Sequence, residues 1–199
     1  MAMRKITLLF LGSVFCIQLT AQVFNAGVGG GLSISQVDGD GFSGYNKAGA
    51  TLGLFVNTFL SDSWAWQMEI RYSSKGSARP TTIEDPRYYR MGLRYIEIPL
   101  LARYFLSDGI MFEAGLSGGY LFNSKEEDEL GEMVNTVPFK KGELAAIMGI
   151  GYPLTEKLLA NARISYSVIP IREHAGGGTF YFNRGQNNNV ISFMLQYQF

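Results

Sequence analysis

The sequence predicts an all-β fold, an eight-stranded antiparallel up-and-down transmembrane β-barrel, and three observations carry that prediction. Apolar and polar side chains alternate with period two along most of the chain, the mark of strands with two unlike faces. Short and long connections alternate without exception, as they do when tight turns gather at one end of a barrel and longer loops at the other. Glycines and charges share one parity. Glycine weakens a strand unless something crowds it, and the inside of a small closed barrel is crowded where a water-facing surface is not.

The chain opens on MAMRKITLLFLGSVFCIQLTAQ, with Arg4 and Lys5 ahead of an apolar run from Ile6 to Ile17 and a small residue at Ala21. That order reads as a secretory signal peptide over residues 1–21, cleaved after Ala21, with 22–199 as the barrel domain. The apolar run is too short for a spanning helix, which needs about 20 residues, and no later stretch approaches that length. Cys16 is the single cysteine and leaves with the signal, so no disulfide or cysteine metal ligand is expected. Bulky Phe15 before it argues against lipid anchoring. Loss of Arg4 and Lys5 takes 17 basic residues to 15 against 17 acidic ones, and a mature charge near −2 offers nothing to nucleic acid.

The strands follow in order. Near 24–36, Val28, Leu32 and Ile34 oppose Gly27, Gly29 and Gly31; near 47–60, Leu52, Leu54 and Val56 oppose Lys47, Gly49 and Gly53. The stretch 64–75, WAWQMEIRYSSK, sets Trp64, Trp66, Met68, Ile70 and Tyr72 against Gln67, Glu69, Arg71 and Lys75. Near 92–106, Ile96, Ile98 and Leu100 oppose Glu97 and Arg103; near 110–123, Phe112 and Leu116 oppose Glu113, Gly115 and Gly119. Leu144, Met148 and Ile150 oppose Glu143, Gly149 and Gly151 near 143–154, and Ile164 and Val168 oppose Arg163 near 158–171. The last strand, near 188–199, changes parity, with Ile191, Phe193, Leu195, Tyr197 and Phe199 on its apolar side. Each segment reaches the length of about 9 to 11 residues that a tilted strand needs to cross.

Short connections are SDS at 61–63, SDG at 107–109 and TEK at 155–157; long ones are 37–46, 76–91, 124–142 and 172–187. The short ones are read as periplasmic turns and the four long ones as extracellular loops. Symmetric hairpins centred on Asp62, Asp108 and Glu156 would set Asn57 opposite Gln67, Arg103 opposite Glu113 and Gly149 opposite Arg163. Isolated charges in a narrow lumen are costly, so Glu69, Arg71, Glu97, Arg103, Glu113 and Arg163 are expected to pair as a network that fills it. Eight strands enclose room for side chains rather than a water-filled channel. Trp64, Trp66, Tyr104, Tyr152, Tyr197 and Phe199 fall at the short-turn end, and Tyr72 and Tyr120 at the loop end, as two interfacial girdles.

Residues 95–105 read YIEIPLLARYF. With the leader, the strand count and the terminal Phe199, this resembles the PorT-like outer-membrane β-barrel family of Bacteroidota. The resemblance implies an outer-membrane location and an eight-stranded barrel. The best-known member of that family takes part in the type IX secretion system, and an accessory role in secretion is the finer reading it suggests. The C-terminal strand, VISFMLQYQF, resembles the signal read by the barrel assembly machinery.

The expected function is non-enzymatic: a structural or interaction component of the cell envelope, in contact with outer-membrane lipids and, through its external loops, with envelope proteins. A small-solute channel and a soluble lipocalin-like ligand-binding barrel are the alternatives. No cofactor or metal is expected. KEEDELGE at 125–132 reads as a solvated acidic loop with a cation-binding alternative, VDGDG at 37–41 as turn residues, and 76–91, with Arg79, Arg87, Tyr88, Tyr89 and Arg90, as a basic aromatic loop suited to lipid phosphates or a partner. His174 is the single histidine; with Asp38, Asp40 or Asp85 on neighbouring loops it is weak evidence for acid and base chemistry.

Overall fold

The computed structural model describes residues 23–81, 87–133, 136–174 and 185–199. The leader, with Cys16 and the Ala21 cleavage point, and Asp85 lie outside the described residues. The strands are β1 (Phe24–Asp38), β2 (Lys47–Phe59), β3 (Trp64–Arg79), β4 (Tyr89–Phe105), β5 (Met111–Asp128), the two-residue β6 (Gly131–Glu132), β7 (Gly142–Pro153), β8 (Leu158–Ser167) and β9 (Asn187–Gln198). Eight of them pair antiparallel in the cyclic order β1, β2, β3, β4, β5, β7, β8, β9, and β9 returns to β1, so the sheet has no edge. β6 only folds back on the far end of β5.

The three tight turns are built from short polar side chains that satisfy backbone donors. Ser61 Oγ accepts from Trp64 N at 3.2 Å, Asp108 Oδ1 from Ile110 N at 3.3 Å, and Thr155 Oγ1 from Leu158 N at 3.1 Å. Gly109 closes its turn at φ +90°, a left-handed value that a side chain resists. The register across these turns sets Asn57 opposite Gln67, Arg103 opposite Glu113 and Gly149 opposite Arg163.

Strand limits differ most from the sequence reading at the loop end. The segment 76–91 is strand at both its ends: Gly76 pairs with Gly92, Ser77 with Met91 and Arg79 with Tyr89, so 76–79 belong to β3 and 89–91 to β4. The cause is alternation that continues past the girdle, with Met91 and Leu93 turned inward and fully buried. β5 likewise runs to Asp128 rather than ending near 123. β8 is shorter than expected and stops at Ser167, short of Pro170, which lacks the donor a ladder needs.

One irregularity changes the phase. Arg94 pairs with Asn123 and Tyr95 with Leu121, so Phe122 is an extra residue, a bulge in β5. Beyond a one-residue bulge every side chain of the strand changes face.

Candidate functional site

The polar faces of the eight strands converge on the barrel axis. Arg163 on β8 lies at the centre, its Nη2 donating to Glu69 Oε1 at 2.7 Å and its Nη1 to Glu69 Oε2 at 2.9 Å. It also donates to Glu113 on β5, through Nε to Oε1 and through Nη2 to Oε2 at 3.1 Å. Arg103 Nε reaches Glu113 Oε2 at 3.0 Å and its Nη2 reaches Gln196 Oε1 at 2.7 Å. Toward the loop end, Lys75 Nζ donates to Glu97 Oε1 at 2.7 Å and Glu143 Oε2 at 2.5 Å, and Arg71 Nε donates to Glu97 Oε2 at 2.8 Å. Arg71 ties the two layers, 3.7 Å from Glu69. Each of these carboxylates has at least two partners, which is what makes their burial tolerable.

Little space is left. A cavity of about 10 Å³ lies among Ser33, Thr51, Arg71, Lys75, Glu97 and Arg163, enough for at most one water. A larger hollow of about 160 Å³ opens at the short-turn end against Arg103, Phe55 and Phe105. Glycines bring the strands close enough for this filling: a Cβ on Gly149 would stand 2.8 Å from Glu113 Oε1 and 3.0 Å from Arg163 Cγ.

At the loop end the interior turns apolar. Val37, Met91, Leu93, Tyr95, Leu121 and Ile171 are fully buried together. Above them the β5 bulge turns Glu126 inward, where Arg172 grips it with Nη1 to Oε2 and Nη2 to Oε1, both at 2.8 Å, and Tyr89 Oη donates to Oε1. Arg172 Nε donates to Gln186 at 2.7 Å and its guanidinium lies 4.4 Å over the Phe139 ring. The Tyr89 ring meets that of Phe42 at 4.6 Å. Burial works to raise the Glu126 carboxyl, but the bonds from Arg172 and Tyr89 outweigh it and hold it below the usual carboxylate range. Burial, with Glu126 alongside, pushes the Tyr89 hydroxyl up. Burial also raises Asp40, whose Oδ1 accepts from Phe42 N at 2.8 Å within the turn.

The outer wall is the reverse of the lumen. Trp66 is 44% and Ile98 53% exposed, while Glu69 and Arg71 are 5% and 7% exposed. Trp64, Tyr104, Tyr120, Tyr152, Tyr197 and Phe199 also face outward. Trp64 packs on Tyr104 at 4.9 Å near the short turns, and Tyr72 on Phe122 at 6.2 Å toward the loops. An exposed apolar belt of this extent is what lipid, not water, accommodates.

A family model described as an outer membrane protein beta-barrel domain matches residues 20–173, which is most of the chain. The chain belongs to that family. No curated protein matches it in sequence. Among solved structures it is similar to Ail, the attachment invasion locus protein of Yersinia pestis, at 12% identity and TM-score 0.52, covering 88% of this chain and 98% of that one. It is similar to Neisserial surface protein A at 11% identity and TM-score 0.50, covering 88% and 97%. At such identity the likeness concerns the fold alone.

An outer-membrane barrel has no place for the soluble lipocalin-like alternative, whose tryptophans would have to line the cavity. The six charges expected in the lumen lie there, and Lys75 and Glu143 join them as the link between Glu97 and β9, where Asn188 Nδ2 donates to Glu143 at 2.9 Å. The external cap was not foreseen. Its one signal was Met91, Leu93 and Tyr95 sharing the parity of Glu97. The acidic run is not uniformly solvated: Glu126 is 6% exposed because the bulge turns it in, while Lys125 and Glu127 pair on the outside. In VDGDG, Gly39 and Gly41 hold φ +90° and +86°, turn geometry. The His174 ring stands beside Gly39. Among the described residues no group of three or more His, Cys, Asp or Glu is placed to hold a metal.

Proposed function

We propose that this outer-membrane barrel is a non-enzymatic structural and interaction component of the envelope, with a closed lumen and its working surfaces on the external rim and outer wall. The observation that carries this reading is the Arg163 guanidinium bonded to Glu69 and Glu113 across the axis, with a cavity of about 10 Å³ beside it. Planar-bilayer recordings of the purified full chain test it. The expected trace is flat; steady ohmic conductance would replace this reading with the small-solute channel.

Finer parts of the proposal rest on sequence. The likeness at 95–105 supports an accessory role in secretion, which a deletion strain with a changed set of secreted proteins would display. Contacts with envelope proteins through the loops would appear as cross-linked partners in native outer membranes. Cleavage after Ala21 would leave Gln22 at the amino terminus of the mature protein. Recognition of the C-terminal strand by the assembly machinery would make removal of Phe199 lower the amount of folded barrel.

A further inference from the structure

The β5 bulge has a second effect on the opposite face of the strand. Past Phe122 the outward positions become Asn123, Lys125 and Glu127, so Lys125 stands on the outer wall opposite Gly92 of β4. Gly92 lies between Arg90 and Arg94, both exposed on that same wall. Diagonal neighbours across a pair of strands are about 7 to 8 Å apart. The three cations therefore form a triangle about Gly92, over which an added Cβ would meet nothing nearer than the Lys125 carbonyl at 3.9 Å. The floor is open and the rim is basic.

Glu127 stands directly opposite Arg90 and feels its charge, while the residue opposite Arg94 is the uncharged Asn123. Lys125 pairs with Glu127 and lies 4.0 Å from Glu132. Two carboxylates thus face three cations. Depth decides what completes the site. Arg94 is two residues, roughly 7 Å at a strand's rise, beyond outward-facing Ile96, beside the Tyr72 and Phe122 rings that end the apolar belt. That is the level of lipid headgroups, and the side chains leave the wall sideways, toward lipid, rather than from the top of the rim.

We propose that Arg90, Arg94 and Lys125 form a binding site for the phosphate of a phosphorylated lipid in the external leaflet. Guanidinium groups match phosphate oxygens in pairs and give up their hydration readily, which suits them to this ligand. The site depends on the outward face of β4 and β5 and not on the closed lumen, so the conductance test and the present one fail independently.

The test places the full chain in phosphatidylcholine nanodiscs doped with phosphatidic acid and counts retained lipid by native mass spectrometry. Wild type is expected to retain phosphatidic acid over phosphatidylcholine by about tenfold, the counterpart of roughly one headgroup contact of 1.4 kcal/mol. The variant R90Q/R94Q/K125Q is expected to lose that preference while the folded band on unheated gels is unchanged, and R90K/R94K to keep part of it. Equal retention by wild type and R90Q/R94Q/K125Q overturns the proposal. So does full displacement of the lipid by inorganic phosphate, which would make the site one for a soluble anion, or binding of an acidic peptide without any lipid preference. If the triple variant loses the folded band, single R94Q, on the wall and outside the packed interior, decides by the same count.

Discussion

Arg163 of β8 bonds Glu69 of β3 across the barrel axis, its Nη2 2.7 Å from Oε1 and its Nη1 2.9 Å from Oε2, although β9, β1 and β2 lie between the two strands around the wall. The contact joins opposite sides of the sheet and makes the lumen a cross-braced solid.

Removing that brace leaves carboxylates buried without their counter-charge. Arg163→Met is expected to cost about 3 to 5 kcal/mol, read from guanidinium unfolding in lipid vesicles. The double variant E69Q/R163M should lose less than the sum of its singles, with a coupling of about 0.5 to 3 kcal/mol. Strict additivity would mean that the two side chains do not act together.

Glycines on the two faces should differ in what they tolerate. A side chain at Gly149 meets Glu113, Arg163 and the Ala162 carbonyl, whereas at Gly118 nothing lies within 4 Å of an added Cβ. Gly149→Leu should destabilise by at least the roughly 1 to 3 kcal/mol of an overpacked core and lower the folded fraction on unheated gels. Gly118→Leu, pointing at acyl chains, should leave it unchanged. Equal effects would refute the assignment of inside and outside.

Deletion of Phe122 should remove the bulge and leave Glu126 turned in to Arg172, because Asn123 then follows Leu121 in unbroken alternation and Asn123 to Asp128 keep their partners on β4. Hydrogen exchange should stay slow in 89–93 and 124–128 as well as in 96–105. Faster exchange in the outer segments would refute the pairing of Asn123 with Arg94 and of Leu121 with Tyr95.

The cap should loosen in acid. Glu126 sits below the usual carboxylate range when folded, so its contribution is complete above that range and is lost as pH falls through the folded value. Asp40, raised by burial, has the opposite sign and loses its contribution as pH rises through its folded value. Exchange of the Tyr89–Leu93 backbone, followed from neutral pH to about pH 3, should accelerate on acidification in wild type. In Glu126→Gln the acid-induced step should vanish; a step that persists would assign it to another group.

Much of the molecule was legible without coordinates because period two and a closed barrel leave few choices. Once Trp66 and Glu69 sit on opposite parities and SDS, SDG and TEK are too short for anything but hairpins, register follows by counting. The filling of the lumen was legible for the same reason at Arg103 and Glu113, which face each other across one turn. The bridges from Arg163 to Glu69 and from Lys75 to Glu143 were not, since they join strands that are not neighbours and depend on how far long side chains reach across the axis.

Sequence alone determined the strand set, the alternation of turns and loops, and which parity is apolar, because these depend on neighbours a few residues apart. Only the tertiary structure decided that Phe122 is a bulge, that Glu126 therefore turns in to Arg172 while Lys125 turns out beside Arg90 and Arg94, and that apolar side chains close the external end. A single extra residue in one strand is invisible to a pattern of period two until a partner strand fixes the pairing, and closure of the barrel supplies that partner.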